Sequence, residues 1–509
     1  MSRPRRDMHQ KSLLKLLLNA EERRFFQMIW AIDALQGDRQ GQAEKLLRFP
    51  PEAASSEITS RYAVHRWELE TLVNLFLTRP FRNRRKPNDS FLNCGQYETL
   101  ATLINHLREI EDAEAGMYLG RVGILNEMHR IAQRQFPWQR GFFNAVQFYR
   151  YAFIYGQGDC ADYFNATYGI TFDTFSYIGF ALFTAFQERP WIKNKYSLTD
   201  IGIKDDELCD GMKLLCKPEP EAEKEATALL SEVQSKLKSP LPTAFQPSYL
   251  RRFPILSFGD VSGVSIAPLP ALLILRVTQG VYYDLIDGGS HLRNDASARF
   301  EKYCRQLLRA TLPDHEIEES HTYSVRGKLL DSPDILIKRD GVPVAVLECK
   351  ATKLTIGAQY AEDPTSEAEV GYREIAKGVF QIWRYRSHIR RGLTANDATE
   401  RPNFGLVLML DTWLSMSREL QKQVVSVANS LADAAKEDII EEDRERVIFC
   451  SIPDFERLLL ISDNESFFLT LSAAKEEKFV GWHLPEIHRE IHGKTQKKPF
   501  PFSLADVSP

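Results

Sequence analysis

Apolar residues recur every three or four positions through most of the first half of the chain. Leu13 to Leu35, Ile58 to Leu77, Tyr97 to Leu119 and Phe142 to Tyr155 carry this spacing, which predicts amphipathic helices separated by Gly and Pro turns. Ala161 to Phe186 predicts two helices around Tyr168-Gly169-Ile170-Thr171. That spacing suits a helix-turn-helix, but the second helix is too apolar to lie in a DNA groove, so a plain helical hairpin is the better reading. Pro218 to Lys238 is rich in Glu and Lys and predicts one exposed helix. No fixed period repeats. The pattern gives an all-helical domain over residues 1–245. A joint follows over 246–286, with a small hairpin at Ser257 to Ile266 turning at Ser262-Gly263 and a buried helix from Pro270 to Tyr283, packed against what comes next.

The rhythm then changes. Asp295 to Leu308 reads as a helix with Phe300, Tyr303, Cys304, Leu307 and Leu308 on its buried side. A strand is expected around His321 to Val325. Asp334 to Ile337 and Val344 to Lys350 are apolar, β-branched runs flanking Arg339-Asp340-Gly341, a hairpin signal. Ser366 and Glu369 have capping-box spacing and start a long helix over about 367–391. On a wheel its apolar side is Ile375, Val379, Phe380, Ile382 and Trp383, and its polar side is Lys377, Gln381, Arg384, Tyr385 and His388. Phe404 to Leu410 (FGLVLML) is a buried strand, and Arg446 to Cys450 is another candidate. The fold class is therefore α + α/β: a helical domain, then a mixed β-sheet flanked by helices over 287–475, then a polar extension over 476–509 whose last residues are expected to be loose.

With 509 residues the chain can bury two or three cores. A net charge of −4 gives no global basic field, so nucleic-acid binding must come from local patches. The strongest is Arg79-Pro-Phe-Arg-Asn-Arg-Arg-Lys-Pro87, in an expected loop. Six Lys or Arg against one Glu between Val370 and Arg391 make the long helix basic as well. The seven cysteines are odd in number, scattered and without metal-ligand spacing, which suits a reducing, cytoplasmic setting. The apolar stretch near the N-terminus is broken by Lys15 and suits an amphipathic helix better than a signal peptide. No run is long enough to span a bilayer, so no membrane association is expected.

The chemistry gathers in SPDILIKRDGVPVAVLECKAT. A three-residue hairpin loop with Gly341 at positive φ pairs Lys338 with Val342 and sets Asp334 opposite Val346, on the face that carries Glu348 and Lys350. A two-residue Asp-Gly turn shifts the register by one and puts Asp334 on the wrong face. Asp334, Glu348 and the carbonyl of Cys349 can then supply oxygens to Mg²⁺, for which Mn²⁺ can substitute. The cation polarises a phosphate and acidifies a bound water, and Lys350 orients that water or offsets charge. The plainer alternative is a turn cap at Asp334 and an exposed Glu348–Lys350 pair. A charged pair at the end of a buried strand argues against it.

Pro333-Asp334 followed by Glu348-Cys349-Lys350 resembles the signature of the PD-(D/E)xK nuclease superfamily, over roughly the last two-fifths of the chain. The resemblance implies an α-β-β-β-α-β core of restriction-endonuclease-like architecture and catalytic roles for Asp334, Glu348 and Lys350. Gln381 and Tyr385 look like the Gln-x-x-x-Tyr element of the RecB-like branch. This implies that both lie beside the metal and contact nucleic acid, DNA in preference to RNA. Lys377, Arg384 and His388 share that helix side and are expected to bind nucleic acid. Glu301 matches a family Glu that helps hold the metal, and His291 a histidine that precedes the core in RecB-like members.

Two classes of function follow. One is a metal-dependent nuclease whose helical half binds substrate, a protein partner or an activating ligand, alone or as an oligomer. A helical half with a C-terminal nuclease is a layout found in bacterial restriction and phage-defence proteins. The other is a catalytically silent nuclease-fold module that binds nucleic acid or scaffolds a complex. Presence of all three signature residues favours the first.

Overall fold

A computed structural model describes the chain except residues 1, 56, 58, 81–90, 123, 143, 238–239, 261, 395–400, 413, 415–416 and 508–509; the side chains of 118–127, 356 and 364 are also outside it. It divides into two compact units, residues 1–123, 134–144 and 160–288, and residues 124–133, 145–159 and 289–509. Among the described residues no single helix is long and apolar enough to cross a membrane. All seven cysteines are free thiols.

The first unit is built on the expected helices. Glu22–Leu35 buries Phe25, Phe26, Ile29 and Trp30, and Arg66–Leu77 brings Phe76 to stack on Phe25 at 4.1 Å. Ser2–Leu18 packs along Tyr97–Val122. Gly158–Tyr168 and Phe172–Glu188 form the helical hairpin, with Gly169 at φ 71° between them. Three expectations are corrected. The helical half also holds strands: Trp191–Lys193 and Cys216–Pro218 flank the hairpin of Ile255–Phe258 and Val264–Ile266 in a four-stranded sheet. Through this pairing the 246–286 segment belongs to the first unit instead of forming a separate joint. The helix expected from Pro270 to Tyr283 breaks after Val277, where Thr278 leaves helical geometry (φ −116°, ψ −100°). The basic run also begins differently, because Arg79 is buried against Glu22 and Glu223; Phe81 to Pro87 lie outside the described residues.

The second unit has a five-stranded mixed sheet between two helical layers. Its elements are α1 (Ala145–Tyr155), α2 (Ser290–Thr311), β1 (Glu316–Glu319), β2 (Thr322–Val325), β3 (Lys328–Asp331), β4 (Ile335–Arg339), β5 (Val342–Lys350), α3 (Glu369–Arg390), β6 (Phe404–Met409), α4 (Arg418–Ala435), β7 (Ile448–Ser451) and α5 (Ile452–Ile461). Strand order is β7-β6-β5-β4-β1, parallel from β7 to β5 and antiparallel from there to β1. The strand expected at His321 to Val325 exists as β2, but it pairs with β3 in a separate ribbon, and Glu316–Glu319 takes its place in the sheet.

Alternation along β4 and β5 splits the sheet's faces. Leu336 and Val346 join the α3–α4 core with Ile375, Val379, Ile382 and Val407. Cys349 looks the other way, toward Cys304 on α2. On that side Arg150 of α1 bonds Glu456 of α5 at 2.5 Å and Tyr303 of α2 bonds the same carboxylate at 2.6 Å, all buried. This trio explains why a helix from the sequence's first half sits in the second unit. Part of the C-terminal extension packs back on this unit: Phe500 and Phe502 lie on Tyr149 at 5.4 and 5.0 Å, and the Lys498 N–H donates to the Leu460 carbonyl; the last residues, expected to be loose, end outside the described residues.

Candidate active site

The turn of the β4–β5 hairpin is Asp340-Gly341, both at positive φ (51° and 76°), with Arg339 paired to Val342. This is the two-residue turn, not the three-residue loop expected. Alone it would turn Asp334 to the wrong face. A bulge restores the register: Lys338 pairs with Pro343 but Ile337 pairs with Ala345, leaving Val344 as the extra residue. Ile335 then pairs with Leu347, so the next position along sets Asp334 opposite Glu348 rather than Val346. Pro343 was the legible signal, since a residue without an N–H belongs at an edge or a bulge.

The Asp334 carboxylate accepts the Cys349 N–H at 2.7 Å. In a strand a residue's N–H and C=O point to the same edge, so the Cys349 carbonyl also faces Asp334's side. Lys350 Nζ donates to Glu348 Oε2 at 2.9 Å. Glu348 is 1% exposed, and its Oε1 has no hydrogen-bond partner. Burial, opposed by Lys350 and reinforced by Asp334 and Glu301, pushes the Glu348 carboxyl up to about 8. Burial also raises Asp334, against Lys350 and the Cys349 amide. Burial works against the Lys350 ammonium, but Glu348 and Asp334 outweigh it and hold it above its ordinary value. The lysine is therefore charged at neutral pH, while the carboxyls beside it resist carrying a full set of negative charges.

Glu301 on α2 joins this group. Burial and the charge of Asp334 push it up to about 7, against Arg305 and Lys350. Arg305, one turn further along α2, is a contributor the sequence reading missed. So is Gly378 in mid-α3: a Cβ there would stand 2.9 Å from Lys350 Cε and 3.5 Å from Glu348 Cβ. The helix spends a glycine, worth about 1 kcal/mol against alanine, so that the lysine can lie under it.

The remaining candidates divide. Gln381, three residues beyond Gly378 and half-buried, shares the helix side that meets the site. Tyr385 is corrected: it is 1% exposed and packed between Tyr323 (5.9 Å) and His321 (6.5 Å), inside the core. His388 is corrected too. It is buried, with Nδ1 2.9 Å from Tyr323 Oη and Nε2 3.2 Å from Glu437, and cannot meet a polynucleotide. The reason is that residues 437–445 wrap the end of α3, where Trp383 Nε1 and Arg386 both donate to the Glu445 carbonyl and Ser387 to that of Asp438. Lys377 is half-exposed beside Glu374, and Arg384 lies over the Phe380 ring. The helix does not begin with the Ser366–Glu369 box; Asp363 caps a short turn over Pro364–Glu367 instead, accepting from the Ser366 N–H. His291 is exposed at the start of α2, ten residues or about 15 Å along the helix from Glu301, too far to share an ion with it.

Two carboxylates, one of them with a buried oxygen that has no partner, and a carbonyl on the same edge form an all-oxygen set. Mg²⁺ keeps several waters and needs only one or two protein carboxylates, so these residues fit Mg²⁺ or Mn²⁺. Among the described residues no group of three or more His, Cys, Asp or Glu is arranged to hold an ion. In this structure Glu301 acts on Glu348 and Asp334 through its charge. A scan of protein-family models finds no match to this chain, and searches of curated proteins and of solved structures find none either.

Proposed function

We propose that the second unit is a metal-dependent phosphodiesterase that hydrolyses nucleic acid, DNA in preference to RNA. The observation that carries this reading is Asp334 set opposite Glu348, with Lys350 next on the same strand face. Asp334, Glu348 and the Cys349 carbonyl would hold Mg²⁺ or Mn²⁺, which supplies phosphate polarisation and a water acidic enough to ionise near neutral pH. Lys350, kept charged by its two carboxylate neighbours, offsets charge building on the phosphate oxygens. Glu301 titrates near neutral pH at the rim and is suited to exchange a proton with the attacking water. Lys377 and Arg384, on the less buried side of α3, suit a phosphate backbone. The first unit is left to bind a partner or an activating ligand, an arrangement that suits a role in restriction or phage defence.

The test is incubation of the pure protein with labelled single- and double-stranded DNA and RNA in Mg²⁺, Mn²⁺ or EDTA. Cleavage should need metal and should vanish in Asp334→Asn and Lys350→Ala proteins that still fold. Cleavage that persists in EDTA or in either variant removes the mechanism. The silent-module reading draws on one observation, that the Lys350 ammonium is already bonded to Glu348. It predicts metal-independent nucleic-acid binding with no product.

A further inference from the structure

Between β1 and β4 the chain leaves the sheet. β2 and β3 pair only with each other, from Thr322 with Asp331 to Val325 with Lys328. The two tip residues, Arg326 and Gly327, both have positive φ (50° and 79°), the turn that matches the natural twist of a two-stranded ribbon. Four residue pairs make an arm about 13 Å long. One face, with Tyr323, Val325 and Leu330, packs into the α3 core. The other presents Thr322, Ser324 and Leu329 to solvent, Leu329 at 76% exposure.

The root of the arm is fixed. Tyr323 is bonded to His388 and His388 to Glu437. The His321 N–H donates to Ser332 Oγ at 3.0 Å, and the Ser320 N–H donates to the Asp334 carbonyl at 3.1 Å. The arm therefore rises directly from the residue that carries the first site carboxylate. Its cations are uncommitted: among the described residues neither Arg326 nor Lys328 forms an ion pair. Arg384 stands close enough to Tyr323 to act on its hydroxyl. A bound, anchored root and a tip that offers two unpaired cations and a bare leucine describe an element built to meet something anionic with apolar features in its groove.

We propose that this ribbon enters the major groove of B-form DNA beside the scissile phosphate. The inference rests on the nuclease reading above and names its substrate class as duplex DNA. A B-DNA major groove, about 12 Å wide and about 8.5 Å deep, admits a two-stranded ribbon. The A-form major groove of duplex RNA is too narrow and deep, and a single strand offers no groove. Arg326 at the tip has the fork that reads guanine O6 and N7, and Leu329 and Ser324 face outward where a thymine methyl and a base edge would lie. Lys328 and Arg384 reach phosphates.

Binding of the full-length protein to labelled duplex DNA, single-stranded DNA and duplex RNA is measured in EDTA across a salt series. Duplex DNA should bind tightest. An Arg326→Ala/Lys328→Ala/Leu329→Ser protein should bind duplex DNA at least about tenfold more weakly, with a salt slope shallower by about 1, while the other two ligands change less than about threefold. A second protein, Arg326→Glu/Lys328→Glu, should show a larger loss in the same ligand. Equal losses on all three ligands, or wild-type protein that prefers duplex RNA or single strands, overturn the proposal. No cleavage occurs in EDTA, so the two readings separate. Intact duplex preference without Mg²⁺-dependent cleavage supports the arm and sinks the nuclease; cleavage without any effect of the arm variants sinks the arm alone.

Discussion

Glu348→Gln should make the metal-free protein more stable at alkaline pH. The buried carboxyl is raised from its ordinary 4.5 to about 8. Because the folded-state value is the higher one, the stability this group contributes is fully present below about pH 4.5 and is lost as pH climbs through about 8. At about 1.4 kcal/mol per pH unit the ceiling is roughly 5 kcal/mol. That value already includes the relief from Lys350, at 2.9 Å; relaxation of the site and entry of water around the charge reduce the expected loss to about half the ceiling. Glutamine has the same shape, still accepts from Lys350 and never ionises. For a unit of this size 1 kcal/mol moves the melting temperature by about 2–4 °C. Thermal melts in EDTA should therefore show the variant near wild type at pH 5 and about 5–10 °C above it at pH 8.5. Added Mg²⁺ should raise the wild type and leave the variant unmoved, since the cation takes over the work of neutralising the charge. A variant that melts at or below wild type at pH 8.5 in EDTA, or a gap between the two that ignores pH, refutes the account of Glu348 as a charge held without enough compensation.

Gly378→Ala should gain about 1 kcal/mol of helix propensity yet displace the Lys350 side chain, lowering Mg²⁺-dependent cleavage without lowering the melting temperature; Gly378→Val should lose both. Deleting Val344 removes the bulge yet leaves Ile337 opposite Ala345 and Asp334 opposite Glu348, so metal-dependent protection in thermal melts should persist, whereas inserting a residue after Ala345 shifts Asp334 out of line with Glu348 and should abolish it. Arg150→Met leaves Glu456 buried without its cation and should cost about 3–5 kcal/mol in urea unfolding, while Arg150→Met with Glu456→Leu should recover most of that loss. If the double variant is no better than the single, the pair is not the source of the effect.

The parts of this molecule that read clearly from sequence are those whose cause lies within a few residues. Phe300, Tyr303, Cys304, Leu307 and Leu308 are all buried, because a 3.6-residue period puts them on one stripe whatever lies opposite. The strand bearing Glu348 and Lys350 was legible for the same reason, with a period of two. Register is different. It depends on a turn and a bulge acting together, and an argument from the turn alone discards the correct Asp-Gly turn because it gives the wrong face. Two local irregularities of one residue each cancel in their effect on which face Asp334 takes, and only Pro343 hints at the second.

The helix α3 exposes a deeper limit. Its wheel gives one polar side, and Tyr385 and His388 belong to it by pattern. What buries them is the chain from 437 to 445 and the ribbon at 322–331, segments far away in sequence whose own composition is polar. Polarity predicts solvent only where no partner arrives; Tyr323 and Glu437 supply hydrogen bonds to His388, the Asp438 carbonyl accepts from the neighbouring Ser387, and the Tyr323 ring packs on Tyr385. The resemblance to a Gln-x-x-x-Tyr element separates at the same point. Gln381 keeps the side of Gly378, and Tyr385 is committed to the core, where its ring braces Tyr323 at the root of the arm. If that bracing is its task, Tyr385→Phe should leave cleavage intact and Tyr385→Ala should loosen the ribbon, measured as faster amide exchange across 322–331. A direct contact to nucleic acid would instead make the phenylalanine variant defective.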